Sequence, residues 1–337
     1  MKLSVCVATY NRAAFIGETL EALARQVTDE VELVVLDGAS TDDTQEVMQD
    51  FVRTHPRTVY RREAINGGLD RDFDTAVQTA SGDYCWLMSD DDLLVPGAIA
   101  EVLRHLASGP ELLVVNAEIW SKDLRVLLNG RQLDVATDRQ YGVDDQHLLL
   151  GEVGAYLSFI GGVVVRRSVW LARERQAYYG SLFIHVGVLF QGPPLGCAQV
   201  VARPLIRIRY GNASWSARSF DIWTRKWPRL IWSLPGLPDA AKQRVTPRLP
   251  ATRAQTLLWY RAVGAYGPAE YRDLAGERHH LLAAVIAHVP RRLANAAVAA
   301  FVHVRAQDDV RVQVYDLVRA QCASGVARWV AGRLGIC

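Results

Sequence analysis

Along the first hundred residues, short apolar runs alternate with longer stretches in which apolar positions recur every three or four residues. Leu3 to Ala8 is nearly continuous in apolar residues, the pattern of a strand buried on both faces. Ile16, Leu20, Leu23, Ala24 and Val27 follow at helical spacing and mark one buried face. Val31 to Leu36 is a second apolar run, stopped by Asp37-Gly38-Ala39-Ser40. Thr41-Asp42-Asp43-Thr44 then opens a helix with capping residues and with acids near its positive end. Val59 to Arg62 reads as a short third strand, Asn66-Gly67-Gly68 as a tight turn, and Phe73, Val77 and Ala80 as the inner face of a third helix. Tyr84 to Met88 is a fourth strand, and it runs into Asp90-Asp91-Asp92. Strands and helices in this order predict a mostly parallel sheet with helices on both faces.

Further on, Ile99, Val102, Leu103 and Leu106 predict a helix ended by Ser108-Gly109-Pro110, and Leu112 to Val115 a buried strand. Residues 121–147 are polar and mixed and predict no regular element. Val163-Val164-Val165 reads as a strand, with a helix through Trp170 after it. Gly161 and Gly162 before it would let a ligand approach the backbone closely. Arg207-Ile208-Arg209 alternates like an exposed basic edge strand. From Phe220 onward the pattern is helical, with prolines at 228, 235, 238, 247, 250, 268 and 290.

In parallel sheets of this kind ligands bind at the carboxyl ends of the strands. Four polar turns fall there: Thr9–Arg12, Asp37–Ser40, Asn66–Asp72 and Asp90–Asp92. Three adjacent carboxylates repel one another, and two readings account for them. One is a divalent cation, Mg²⁺ or Mn²⁺, held by one or two carboxylates plus substrate phosphates. The other is a solvated acidic turn in which Asp92 or a neighbour caps the helix that starts near Pro96. No G-x-G-x-x-G follows the first strand and no G-x-x-x-x-G-K-[ST] occurs, which disfavours a dinucleotide-binding Rossmann site and a P-loop.

Charge adds an asymmetry that the net value of +2 conceals. Residues 1–202 carry 17 Lys+Arg against 28 Asp+Glu, and residues 203–337 carry 21 against 8. A basic C-terminal third calls for an anionic partner. Trp215, Trp223, Trp227 and Trp232 are interleaved there with Arg218, Arg225, Lys226 and Arg229, and Arg291-Arg292 precedes Leu293, Ala297, Phe301 and Val304. Two readings stay open: an anionic membrane surface, or helices packed on the catalytic domain or on another subunit in a homo-oligomer. Nothing marks a nucleic-acid site. Five scattered cysteines in no metal-type spacing argue for reduced thiols. With no apolar run long enough to span a bilayer and an N-terminal run too short for a signal peptide, the expected location is cytoplasmic, with peripheral attachment to the inner face of the cell membrane as the membrane reading implies.

Taken together, Ala8-Thr9-Tyr10-Asn11-Arg12, Asp37-Gly38-Ala39-Ser40-Thr41-Asp42-Asp43-Thr44, Asn66-Gly67-Gly68 and Ser81-Gly82-Asp83-Tyr84 leading into Asp90-Asp91-Asp92 resemble the family 2 glycosyltransferases of GT-A fold, above all abequosyltransferase-like members that build surface polysaccharides. The resemblance covers residues 1–110 strongly and about 155–216 loosely. It implies a GT-A catalytic domain over 1–215, with a nucleotide-sugar half over 1–110 and an acceptor half over 111–215, and a helical, basic C-terminal region over 216–337.

The resemblance also implies roles. Thr9 and Tyr10 would line the nucleotide base and Asp37 would accept a hydrogen bond from it. Arg12, Asn66, Arg71 and Asp91 fall in the nucleotide-sugar motifs, Asp90 would face the ribose or donor sugar, and Asp92, with Asp90, would hold Mg²⁺ or Mn²⁺ on the diphosphate. Arg209 would pair with phosphate oxygens. Ala8 replaces a usual proline and Asp72 an expected asparagine. Where many relatives carry a Glu-Asp pair whose Asp is the general base, this chain has His185, and an imidazole is chemically suited to that work. A core histidine is the alternative for His185, and Glu152 and Asp145 are competing bases. The activity implied is inverting transfer of a sugar from a nucleotide-sugar to a hydroxyl of a glycan or lipid-linked glycan. A nucleotidyltransferase, or a polysaccharide-assembly scaffold that keeps the fold without catalysis, is the alternative.

Overall fold

The computed structural model describes residues 2–212, 218–274, 281–305 and 310–336. The first seven elements come in the predicted order: β1 (Leu3–Thr9), α1 (Ala13–Ala24), β2 (Val31–Asp37), α2 (Thr44–Thr54), β3 (Val59–Arg62), α3 (Leu69–Thr79) and β4 (Tyr84–Met88). Their strands pair in parallel as β3-β2-β1-β4, with Leu3 level with both Val31 and Tyr84. Every residue of β1 and β4 is buried, as strands covered on both faces should be. Thr9 is level with Asp37 at the carboxyl ends of β1 and β2.

The sheet then changes character. β5 (Leu93–Leu94), α4 (Ala98–Leu106), β6 (Leu112–Trp120), β7 (Leu127–Asn129), β8 (Arg139–Gly142), α5 (Gln146–Val153), β9 (Val163–Arg166), α6 (Arg167–Leu171), α7 (Ile184–Phe190) and β10 (Cys197–Arg209) follow. β9 lies antiparallel between β4 and β6, and β10 pairs antiparallel with β5 and with β8. The full order is β3-β2-β1-β4-β9-β6-β10-β5, with β7 on the end of β6. The patternless residues 121–147 hold β7 and β8, strands of three and four residues that are too short to display a period.

The chain divides into two units. The first comprises Met1–Glu118, Arg131–Ile208 and Leu230–Val245. It contains the parallel strands and buries Trp86, Trp170 and Phe73 among aliphatic side chains. The indole N–H of Trp86 donates to Gly161 O (2.8 Å) and that of Trp170 to Asp74 Oδ1 (2.9 Å), so neither buried donor is left unpaired.

The second unit comprises Ile119–Gly130, Arg209–Arg229 and Thr246–Cys337. The helices after β10 are α8 (Ser219–Asp221), α9 (Trp227–Ser233), α10 (Asp239–Val245), α11 (Ala254–Val263), α12 (Pro268–Leu274), α13 (Leu281–His288), α14 (Arg291–Arg305), α15 (Val310–Arg319) and α16 (Gly325–Arg333). Leu230–Val245, which contains α10, belongs to the first unit, where α10 packs on α5. The domain boundary expected at 215 lies outside the described residues, as does Trp215. Two small cores hold the second unit, one around Phe220, Leu257 and Tyr266, the other around Ala262, Ala294 and Leu317. The buried Asn295 amide donates to Ala262 O (3.1 Å) and Leu317 O (3.0 Å), and its oxygen accepts from the Ser324 N–H (2.8 Å). No single described helix is long and apolar enough to cross a membrane.

Candidate active site

The loops after β1 and β2 are sewn into one piece. Gly38 N–H donates to Thr9 O (2.9 Å), Asn11 N–H to Ser40 Oγ (2.9 Å), Thr41 N–H to Asn11 Oδ1 (2.7 Å) and Arg12 N–H to Thr44 Oγ1 (2.9 Å). Asn11 and Ala39 hold left-handed backbone, at φ of 56° and 66°. Ala39 has no intrinsic preference for that region, and the surrounding hydrogen bonds hold it there.

The acidic turn after β4 meets this piece through Arg12. Its Nε donates to Asp90 Oδ1 (3.1 Å) and its Nη2 to Asp91 Oδ2. Asp90, Asp91 and Asp92 are all buried, and the Ser89 hydroxyl donates to Asp92. Burial and the neighbouring Asp91 charge push the Asp90 carboxyl up to about 6, although Arg12 and the Thr9 hydroxyl pull the other way. The triplet is therefore not a solvated turn. It does not cap α4 either, whose N-terminus follows Gly97 in left-handed conformation with no side-chain cap.

A second pair of acids lies at the end of β2. Asp37 has no solvent exposure and accepts from Ser40 N–H (2.8 Å) and the Tyr60 hydroxyl (2.9 Å), with Arg62 Nε 3.6 Å away. Asp72, in the first turn of α3, points at the Cα of Gly38: a Cβ at that glycine would stand 2.5 Å from Asp72 Oδ2. Asp72 is 4% exposed, and its carboxyl has no hydrogen-bond partner among the described residues. Burial, then the charges of Glu63 and Asp37, raise it to about 7, against the pull of Arg71. Sequence reasoning met Asp72 only as a departure from a family pattern. Its signal was there: three acids, Asp70, Asp72 and Asp74, in the first turns of a helix with an apolar face, all of them buried in the fold.

The remaining nucleotide-motif residues are more open. Tyr10 is 42% exposed beside the buried Thr9. Asn66 Oδ1 accepts from Gly68 N–H (2.8 Å), closing the turn ahead of α3, and Arg71 is exposed with its stem folded over Gly67. Arg209 belongs to the second unit, where its guanidinium donates to Lys122 O (3.2 Å).

The three candidate bases lie in other surroundings. His185 sits in α7, every residue of which is buried, and is 1% exposed. Its Nε2 is 2.6 Å from Leu157 O and so carries the proton, while Nδ1 is buried without a hydrogen-bond partner. Burial pushes its pKa down to about 4. An acceptor hydroxyl has no way to reach it, and His185 is a core residue.

Glu152 and Asp145 lie by β8. Arg139 of β8 is level with Val200 on β10, whereas Leu94, next to the acidic turn, is level with Ile206. Six residues of strand place the two neighbourhoods roughly 20 Å apart. Glu152 accepts from Tyr141 and Arg139, whose bonds hold its carboxyl below the usual range despite partial burial. Asp145 accepts from Gly142 N–H (2.9 Å) as a turn cap.

No group of three His, Cys, Asp or Glu side chains among the described residues is arranged to hold a metal by itself. The donor set fits the other way of binding one. Mg²⁺ and Mn²⁺ accept one or two carboxylates and take their remaining oxygens from water and a diphosphate. Two like charges compressed at Asp90 and Asp91, with Asp92 beside them, suit a cation held so.

A parallel β3-β2-β1-β4 core thus carries buried acids at its carboxyl rim. Residues 4–147 match the family model described as glycosyl transferase family 2. The chain is 28% identical over 233 residues to abequosyltransferase RfbV of Salmonella typhimurium, covering 65% of this chain and 69% of that protein. It is 28% identical over 109 residues to the GalNAc(5)-diNAcBac-PP-undecaprenol beta-1,3-glucosyltransferase of Campylobacter jejuni, covering 32% of this chain and 35% of that one. The match over residues 4–147 and the likeness to these relatives support a family 2 glycosyltransferase.

Among solved structures, S. aureus TarS 1–349 in complex with UDP-GlcNAc matches with a TM-score of 0.53 at 18% identity, over 99% of this chain and 92% of that one. Mannosyltransferase PcManGT from Pyrobaculum calidifontis, in complex with GDP-Man and Mn²⁺, matches with a TM-score of 0.52 at 16% identity, over 94% and 86%. At these identities the likeness shows the fold alone.

Proposed function

We propose that this protein moves a sugar from a nucleotide-sugar donor to a hydroxyl of a glycan or lipid-linked glycan, with inversion at the anomeric carbon, in the assembly of a surface polysaccharide. The observation that carries the reading is the meeting of Arg12 with Asp90 and Asp91, beside Asp37 and Asp72, at the carboxyl ends of β1, β2 and β4. The relatives support it: the Campylobacter enzyme's name specifies a lipid-linked acceptor, and the two solved structures were obtained with nucleotide-sugars.

In this reading Thr9 and Tyr10 line the base, with Asp37 fixing the loop around it and Asp72 offering an open acceptor to it. Arg12 and Arg71 meet the diphosphate, Asn66 shapes the turn that presents Arg71, and Asp90 faces the ribose or donor sugar. Asp92 and Asp90 hold Mg²⁺ or Mn²⁺, which supplies charge stabilisation to the departing diphosphate. The acceptor oxygen forms its bond to the anomeric carbon as the bond to the diphosphate oxygen breaks. The protein works at the cytoplasmic face of the membrane that holds a lipid-linked acceptor.

A thermal-shift panel of UDP-, GDP-, CDP- and dTDP-sugars, with and without Mn²⁺, tests the donor site. One nucleotide class should stabilise the wild type, and the metal-dependent part should vanish in Asp92→Ala. Silence from all four donors would remove the reading. One observation favours the scaffold alternative: none of His185, Glu152 and Asp145 stands at the rim. Metal-dependent hydrolysis of the stabilising donor would exclude it.

A further inference from the structure

The second unit presents one helix face that is apolar and outward. On α14, Leu293 is 63% exposed, Phe301 49% and Val304 82%, and Ala297 and Ala300 are exposed between them. These positions lie three and four residues apart, so they form one stripe along the helix. The opposite stripe, Ala294, Asn295, Ala299 and Val302, is the buried one. A helix that buries one apolar side and bares another is amphipathic on its outward half only through its ends, and those ends are cationic. Arg291 and Arg292 are exposed at the start and Arg305 at the finish.

Two neighbouring helices extend the surface. α13 meets α14 at 103° and exposes Val285 and Leu282. From α16, Trp329 is 54% exposed, with its ring 5.2 Å from that of His303 on α14. The guanidinium of Arg333 lies over Trp329 (4.9 Å) and that of Arg305 over Phe301 (5.1 Å). Each arginine thus stacks its charged group on the face of an exposed aromatic ring. A contiguous apolar patch of this kind on one chain marks an interaction site.

The charge pattern says which partner fits. Neither α13, α14 nor α16 contains an Asp or Glu. A second copy seated on this face about a two-fold axis would bring arginine rims together with no acid from these helices to answer them. Of the acids on adjoining segments, Glu270 and Asp273 lie on α12, and Glu277, Asp308 and Asp309 lie outside the described residues. An anionic bilayer answers both features at once: apolar side chains enter the headgroup–acyl boundary while arginines stay with the headgroups.

We propose that α13, α14 and α16 form a surface that docks on an anionic lipid bilayer, with Leu293, Phe301, Val304 and Trp329 entering it and Arg291, Arg292, Arg305 and Arg333 pairing with its headgroups. The inference deepens the lipid-linked-acceptor reading and rests on it for its purpose, but its test does not use catalysis. Neither α13 nor α14 spans the bilayer in this arrangement.

The full chain would be floated with vesicles of phosphatidylcholine alone and of phosphatidylcholine with phosphatidylglycerol, at low and high salt. Wild type should float with the anionic vesicles at low salt and release as salt rises. Phe301→Glu with Val304→Glu, and separately Arg291→Glu with Arg292→Glu, should each lower partitioning about tenfold or more. All four positions are exposed, so an unchanged unfolding midpoint and an unchanged shift with donor nucleotide confirm that fold and donor site survive.

Absence of flotation with anionic vesicles at low salt would overturn the proposal. So would flotation that the Phe301→Glu, Val304→Glu variant leaves intact. A lipid-free dimer in sedimentation that the same variant dissociates would also overturn it, assigning the face to a second copy. If flotation succeeds while no donor stabilises the protein, the surface stands and the transferase reading fails.

Discussion

In the first unit a set of acids is held inside, and on α14 and α16 of the second the arginines are outside. Glu32 accepts from Ser4 Oγ (2.6 Å), Ser81 N–H (2.6 Å) and Lys2 Nζ (2.9 Å). Asp70 accepts from the backbone N–H groups of Leu182 and Ile184, and Asp74 from the Trp170 indole N–H and the Tyr179 hydroxyl. Asp90 and Asp91 share Arg12. The cations of α14 and α16 stand on helices without acids and lean on aromatic rings. A charge taken out of water must be answered, and the answer fixes geometry. A charge left in water fixes nothing and stays available to a partner. The first unit spends its charges on holding positions, α14 and α16 leave theirs available, and substitutions of charge separate the two.

The largest expected effect is on chemistry. Asp92→Ala should lower the rate of transfer by about 10²–10³-fold, the scale of removing one preorganised charge-stabilising contact, read as nucleotide released per enzyme. Transfer within a few-fold of wild type would detach Asp92 from the reaction. Arg12→Ala comes next. It removes the guanidinium that two buried carboxylates share and should destabilise by about 3 kcal/mol, read from urea midpoints at constant slope. An unchanged midpoint would mean that the triplet does not need this counter-ion.

Two titrations sharpen the contrast among the acids. Burial works to raise the Glu32 carboxyl, but its hydrogen bonds prevail and hold it at about 2, below the ordinary 4.5. The depressed folded value means stability that is fully present above 4.5 and lost as pH falls toward 2. Glu32→Gln should therefore cost about 1–2 kcal/mol near neutrality, after allowance for solvent screening, and almost nothing at the acid end. Asp72 has the opposite sign. Its folded value is raised from 3.8 to about 7, so its cost is absent below 3.8, grows through that window and is complete above 7. Asp72→Asn should stabilise by about 1 kcal/mol above pH 7 and be neutral in acid. Equal gains at both ends would locate the effect in packing. The smallest effect belongs to the second unit: Arg291→Glu with Arg292→Glu should shift stability by no more than about 0.5 kcal/mol. A larger loss would show that these arginines hold the fold.

The parallel core was legible because β1, β2 and β4 are nearly continuous apolar runs and each rim turn is a cluster of Gly, Asn, Asp or Ser. The pairing of Arg12 with Asp90 was not, since the partners are 78 residues apart and nothing local marks either as the other's counterpart. His185 misled for a related reason. An apolar helix bearing one imidazole reads the same whether water lies on one side or on none, and α7 turned out to be buried all round. In the C-terminal helices the period was legible but the outward side was not. Leu293 and Ala294 are adjacent in sequence, yet the first is exposed and the second buried.

Arg12 has a consequence for how the molecule comes into being. Small metal-dependent domains wait for their ion, because ligands that repel one another cannot gather without it, and chelators unfold them. Here the cation is covalently part of the chain, delivered to Asp90 and Asp91 from the loop after the very first strand. The rim can therefore close as the sheet forms, in whatever ionic medium surrounds the nascent polypeptide. Assembly of the protein is in this way uncoupled from the supply of anything it later binds.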